Sequence, residues 1–329
     1  MVQRPRLFSV SGDWLAFFLP ALAALFCALT AGQIGFAPQS PYLLLTILFV
    51  WLTDSGHVFA TLFVVFFHRD YRQTLGHQLW SAPLIAFSAI VLFILKWPGL
   101  FPTFLGYMAL LHIILQHFGW LRLIERKESL GLFERRMDLF FFCGLIGLPI
   151  YFWHTGRSAV ELSYFLPNNL ILRVPEAPWR LLHPVYWGFV AGAGLWNLWM
   201  HKNGRTLSPS RWPYFLVTVF WWYGGLVIAP VDAVFWISLI TCHGWSYLLH
   251  TGETFRPRKA WAWLPALLFL TAVTVNGAWW STLRISWSLS TANPWLLLLI
   301  WTPLFLHYTF DSILWKGDFQ KRLKACASS

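Results

Sequence analysis

FPTFLGYMALLHIILQHFGWLRLIERK, residues 101–127, decides the fold. No Asp, Glu, Lys or Arg interrupts the chain from Trp97 to Leu121, and Arg122, Glu125, Arg126 and Lys127 then close the run. A hydrocarbon core of roughly 30 Å needs about 20 apolar residues at ~1.5 Å each. Residues 100–121 therefore read as a membrane span that stops at a charged interface. Inside it lie His112, Gln116 and His117. Polar and ionisable side chains at that depth cost free energy and tend to face a cavity or a partner.

The same ruler finds ten candidate spans: 14–32, 42–67, 79–97, 100–121, 137–153, 184–200, 213–229, 231–250, 262–280 and 294–315. The chain is 57% hydrophobic and 11% charged, less than half the roughly 25% charged residues of a soluble domain. The expectation is an all-α integral membrane protein, one polytopic domain over 1–329 with about ten transmembrane helices in one bundle. Pro and Gly punctuate several ends, among them Pro98-Gly99, Pro184, Pro230 and Pro294. The amino-terminal run from Trp14 reads as an uncleaved first helix rather than a signal peptide, because it is long enough to span and further spans follow.

Lys and Arg set the orientation. With the first segment cytosolic, 19 of the 24 basic residues fall on inside segments and only Lys96, Arg157, Arg173, Arg180 and Arg284 fall outside. Alternation at every loop is a positive-inside signal. The expectation is that both termini lie in the cytosol, with the inner membrane holding the chain. The alternation also accounts for the net charge of +11 without nucleic acid. Clusters such as ERKESLGLFERR (125–136) read as topology signals. The four cysteines contain no CxxC pair, so neither a disulfide framework nor a thiolate metal site is indicated.

Four spans carry histidines and, in this topology, run the same way. Counting helical rise to the first cytosolic charge places His57 ~18 Å, His112 and His243 ~15 Å and His307 ~14 Å deep. A shallower tier holds His117, His250 and Asp311, each within roughly 8 Å of its reference charge. Companions share faces: Asp54 with His57 at i, i+3; His112 with Gln116 and His307 with Asp311 at i, i+4; His243 with Tyr247 and His250 at i, i+4, i+7. A lone intramembrane histidine is commonly a hydrogen-bonded packing residue. Four at one depth point instead to a metal site. The candidate ligands are His57, His112, His117, His243 and His307, with Asp54, Gln116, Tyr247, His250 and Asp311 as orienting groups or additional ligands. Imidazole suits iron, zinc and copper, and open positions suit iron oxygen chemistry; zinc or a bis-histidine haem would use the same donors. His154 and His183 fall on the outer side, away from this level.

HIILQH matches one histidine box of membrane desaturases, but no HxxHH follows. No GxSxG, HExxH, P-loop or GxGxxG fingerprint is present, which removes the hydrolase and nucleotide-motor classes. Intramembrane Asp and His would also serve a proton-coupled transporter, although no inverted repeat accompanies them. A non-catalytic scaffold is the blandest class the pattern allows.

Together, TDSGH (53–57), HIILQHFG (112–119), HGWSY (243–247) and HYTFD (307–311) resemble a family of bacterial multi-pass membrane proteins with histidine motifs. More distantly, the chain is similar to the Brp/Blh family of membrane β-carotene dioxygenases. That resemblance implies a helical membrane enzyme holding one non-haem iron by histidines and cleaving a long apolar polyene with O₂. It would nominate His57, His112 or His117, His243 and His307 as ligands. The function expected is an oxidoreductase or oxygenase acting on a lipophilic substrate that enters from the bilayer. A redox partner is left open, and no catalytic residue beyond the ligands is assigned.

Overall fold

A computed structural model describes residues 14–20, 22, 56–62, 64–97, 100–156, 172–228, 243–250, 294–314 and 316. Among them the secondary structure is helical, with no strand. The helices are α1 (Gly56–Phe67), α2 (Arg69–Leu75), α3 (Gln78–Lys96), α4 (Phe101–Glu125) and α5 (Leu132–His154). They continue with α6 (Ala177–Lys202), α7 (Arg211–Tyr223), α8 (243–250) and α9 (Pro294–Leu314). Trp14–Phe18 forms a π turn, and α7 runs on as a second one over Gly224–Ile228.

Three of these segments are long and apolar enough to cross a membrane: Gln78–Lys96, Gly106–Glu125 and Leu132–His154. The span expected at 262–280, and most of those expected at 14–32, 42–67 and 231–250, lie outside the described residues. Two helices outrun their apolar windows. α5 begins five residues before 137, and α6 begins at Ala177 rather than 184. Pro184 does not stop α6, nor Pro149 α5, in keeping with the tolerance of proline in helices whose neighbours shield the freed carbonyls. α6 does end on a glycine signal. Gly204 takes φ 71°, and the Gly204 and Arg205 amides donate to the His201 and Met200 carbonyls. That pairing closes the last turn as a Schellman motif.

The described residues fall into two compact units, one drawn from Met1–Val50 and Gly106–Ser246, the other from Trp51–Leu105 and Tyr247–Ser329. In the first, α5 packs on α6 and α7, and α7 on the Trp14–Phe18 turn. Two glycines let α5 and α6 approach closely. A Cβ on Gly144 would strike the Phe189 ring, and one on Gly192 would lie 2.9 Å from Phe141. Each helix thus receives an aromatic ring from the other, as small residues allow at membrane helix contacts. Leu145, Tyr186, Ala193, Val219 and Tyr223 form the core beside them.

Near the amino-terminal ends of α5 and α7 this unit buries charge. The Arg211 guanidinium reaches Glu128 through two nitrogens, Asp138 Oδ2 at 2.8 Å and Asn197 Oδ1 at 3.2 Å. Glu128 also accepts from the Ser208 amide at 2.7 Å, and Asp138 from Trp196 Nε1 at 3.0 Å. Glu134 pairs with Arg205, and Glu125 with Arg122. The 125–136 cluster therefore has a structural role. Glu128 and Glu134 tie the α4–α5 connection and the start of α5 to the α6–α7 connection and the start of α7. A cavity of about 40 Å³ adjoins Asp138, Asn197, Arg211 and Thr218, room for roughly two or three waters.

In the second unit α9 packs on α3, and α2 touches α3. Val65, Leu75, Leu79, Phe310 and Leu314 make its core. The turn from α2 to α3 passes through Gly76 at φ 54°, a left-handed conformation that suits glycine.

Candidate metal centre

α1 and α9 bring two histidines together in the second unit. His57 and His307 lie edge to face, with ring centroids 4.7 Å apart, and both are almost wholly buried. His307 Nδ1 is 2.8 Å from the Thr61 hydroxyl, and its Nε2 is 3.7 Å from Asp311 Oδ2. Tyr247 on α8 closes the group: its hydroxyl lies 2.6 Å from Thr61 Oγ1 and 3.3 Å from Asp311 Oδ1. Helical spacing explains why these residues gather. Thr61 is four residues after His57, and Asp311 four after His307, so each polar partner shares its histidine's face. In water such contacts would be minor. In an apolar interior each polar atom must find a partner, so the network is strongly directed.

The first unit contributes a second pair. His112 on α4 and His243 on α8 are buried with ring centroids 5.1 Å apart, again edge to face. Three residues after His243, the Ser246 hydroxyl donates to the Ala16 carbonyl at 2.7 Å.

Four buried histidines lie close enough to bind a metal ion. One ring nitrogen from each of His57, His112, His243 and His307 falls within 4.8 Å of the others. Bonds of about 2.1 Å would put neighbouring ligand nitrogens ~3–3.5 Å and opposite ones ~4 Å apart. Those separations are shorter than the 4.8 Å bound on the set, and four neutral imidazoles without a thiolate are a suitable donor set.

The other sequence candidates go elsewhere. His117 is buried in α4 but faces α7. Its Nε2 is 2.7 Å from Thr218 Oγ1, and its ring lies among Phe142, Tyr214 and Trp221. The Thr218 hydroxyl donates to the Tyr214 carbonyl, so it accepts from His117, which carries its proton on Nε2. Among the described residues His117 and His250 are not in the metal-competent group. Gln116 is buried with its Nε2 unbonded. Tyr247 and Asp311 stand behind His307, while Asp54 lies outside the described residues. His154 receives the Tyr107 hydroxyl and donates to the Ile150 carbonyl, and His183 bonds Tyr223. Both are occupied structural residues. Thr61 escaped the sequence reading, though its i+4 spacing from His57 was the available signal.

No family model, curated protein or solved structure matches this chain. Its function is therefore argued from the site itself.

Proposed function

We propose that the chain is a multi-pass membrane metalloprotein, with about ten spans and both termini cytosolic. In this reading His57, His112, His243 and His307 hold one metal, non-haem iron in preference to zinc, and the centre oxidises a lipophilic substrate. The observation that carries the reading is the convergence of four buried imidazole nitrogens within 4.8 Å. Burying one imidazole needs only a hydrogen-bond partner. Assembling four in an apolar interior multiplies the cost of desolvation, which a bound cation would offset. Iron is favoured because imidazole donors that leave coordination positions open suit oxygen chemistry.

When bound, iron of this kind supplies Lewis acidity and electrons for reactions of O₂ with an apolar molecule. The residues do the rest. The four imidazoles supply neutral donors, so the charge of the ion is not cancelled. Thr61, Tyr247 and Asp311 hold His307 in place. Buried aromatic neighbours such as Phe305 and Phe310 on α9 keep water away from that side.

Elemental analysis of protein purified without chelator and without a nickel column tests this. About one iron per chain is expected, with no Soret band. Replacing any one of the four histidines by Ala should lower the metal content, whereas His154→Ala and His183→Ala should not. Equal metal in all six variants would end the shared-site reading, and a strong Soret band would move the assignment to haem.

A further inference from the structure

Thr61 lies one helical turn beyond His57 and is fully buried. Four groups meet at its hydroxyl: Tyr247 Oη at 2.6 Å, His307 Nδ1 at 2.8 Å, Asp311 Oδ1 at 3.1 Å and the His57 carbonyl at 3.3 Å. A threonine hydroxyl has one proton to give and two lone pairs to receive. The Asp311 carboxylate and the His57 carbonyl accept only.

The proton count limits what His307 can be. Thr61 can donate directly to Asp311 and accept from Tyr247. It can donate to Tyr247, which then donates to Asp311 across their 3.3 Å contact. Or it can donate back to the His57 carbonyl of its own helix. In each case its proton is spent elsewhere and a lone pair faces His307 Nδ1; donation to His307 instead would leave the Asp311 carboxylate 3.1 Å from the hydroxyl oxygen with no proton between them. That ring nitrogen is then the donor, so a neutral His307 carries its proton on Nδ1 and its lone pair on Nε2, whose 3.7 Å separation from Asp311 Oδ2 is too long for a hydrogen bond that would hold a proton there.

We infer that Thr61, backed by Tyr247 and Asp311, is a positioning residue that fixes His307 as its Nδ1–H tautomer and so makes Nε2 the atom offered to a metal. The tautomer follows from hydrogen-bond geometry alone; only the ligand assignment rests on the metal centre proposed above. The opposite tautomer would present an N–H where a ligand lone pair is required. Binding would then have to break the Thr61 contact and move a proton. Partners of this kind behind a metal-bound histidine are worth about 10–100-fold in affinity.

The experiment uses full-length protein in lipid nanodiscs, labelled with ¹⁵N-histidine and free of metal, with the His307 signals identified by their loss in His307→Gln. Wild type should show a protonated Nδ1 and an unprotonated Nε2, Thr61→Val a mixture of tautomers, and Thr61→Ser the wild-type pattern. In a second arm, cobalt(II) titration should show Thr61→Val binding about 10–100-fold more weakly, with Thr61→Ser close to wild type. An Nε2–H ring in the wild type overturns the inference, as does an unchanged tautomer in Thr61→Val whatever its affinity. An altered tautomer beside unchanged affinity overturns Nε2 as the ligand atom. If the wild type binds no cobalt, iron or zinc, the metal reading fails while the tautomer arm still decides the role of Thr61. Should Thr61→Val not fold, the wild-type tautomer decides it.

Discussion

Replacing Arg211 by Met tests how much the first unit depends on its buried charge. The guanidinium side chain is 5% exposed, and the carboxylates it meets on Glu128 and Asp138 are 0% and 4% exposed. Met has similar length and fills most of the volume, so packing loss is small. What remains is two buried carboxylates without their cation. Glu128 keeps the Ser208 amide and Asp138 keeps Trp196 Nε1, but neither bond neutralises a charge. Breaking a buried pair by removing one partner costs about 3–5 kcal/mol. At ~2–4 °C per kcal/mol the melting temperature should fall roughly 6–20 °C, with the lower half of that range expected for a chain of 329 residues. The 23 tryptophans allow the transition to be followed by intrinsic fluorescence in detergent. Adding Glu128→Gln and Asp138→Asn to Arg211→Met should recover much of the loss, because the orphaned charges are then gone. A melting temperature within about 2 °C of wild type, or a triple variant no better than the single one, would refute the argument.

Gly144→Leu should destabilise by about 1–3 kcal/mol or more, because the new side chain meets the Phe189 ring. Gly147→Ala, where nothing lies within 4 Å of the added Cβ, should change little in the same melting assay. His117→Ala should leave the metal content intact and lower stability by about 1–3 kcal/mol through the Thr218 contact and the lost ring; metal loss equal to that of His112→Ala would show that the site includes it. Reporter fusions after Arg72 and Lys259 should read cytosolic, and those after Ser40 and Arg173 periplasmic. Opposite readings at two of these sites would overturn the proposed topology.

How far the site was legible depends on what kind of signal each residue gives. His57, His112, His243 and His307 stand out because an ionisable group in an apolar run is rare, and because helical rise turns sequence distance into depth. Thr61 gave no such signal: threonine is ordinary in an apolar helix, and only the arrival of His307, Tyr247 and Asp311 gives its hydroxyl a role. The buried charges were hidden for a different reason. Glu128 sits in the α4–α5 connection and Asp138 and Arg211 near the starts of α5 and α7, where solvated charges are expected, and their burial follows from the packing of several elements that no single segment reveals. Proline punctuation misplaced the start of α6 because Pro184 is tolerated once a helix is flanked by others.

The choice between His112 and His117 shows the limit most clearly. Both belong to HIILQH and both lie in one apolar helix, so hydropathy does not separate them. Helical rotation does. At 3.6 residues per turn, five residues advance the chain by about 500°, which leaves the two side chains some 140° apart around the axis. They cannot serve the same site, so one must face away. Sequence spacing therefore requires a choice but cannot make it, because which face meets which neighbour is a property of the other helices. In the structure His112 meets His243 while His117 is taken by Thr218. The residue with a saturated polar partner on its own side is the one excluded from the four-histidine group.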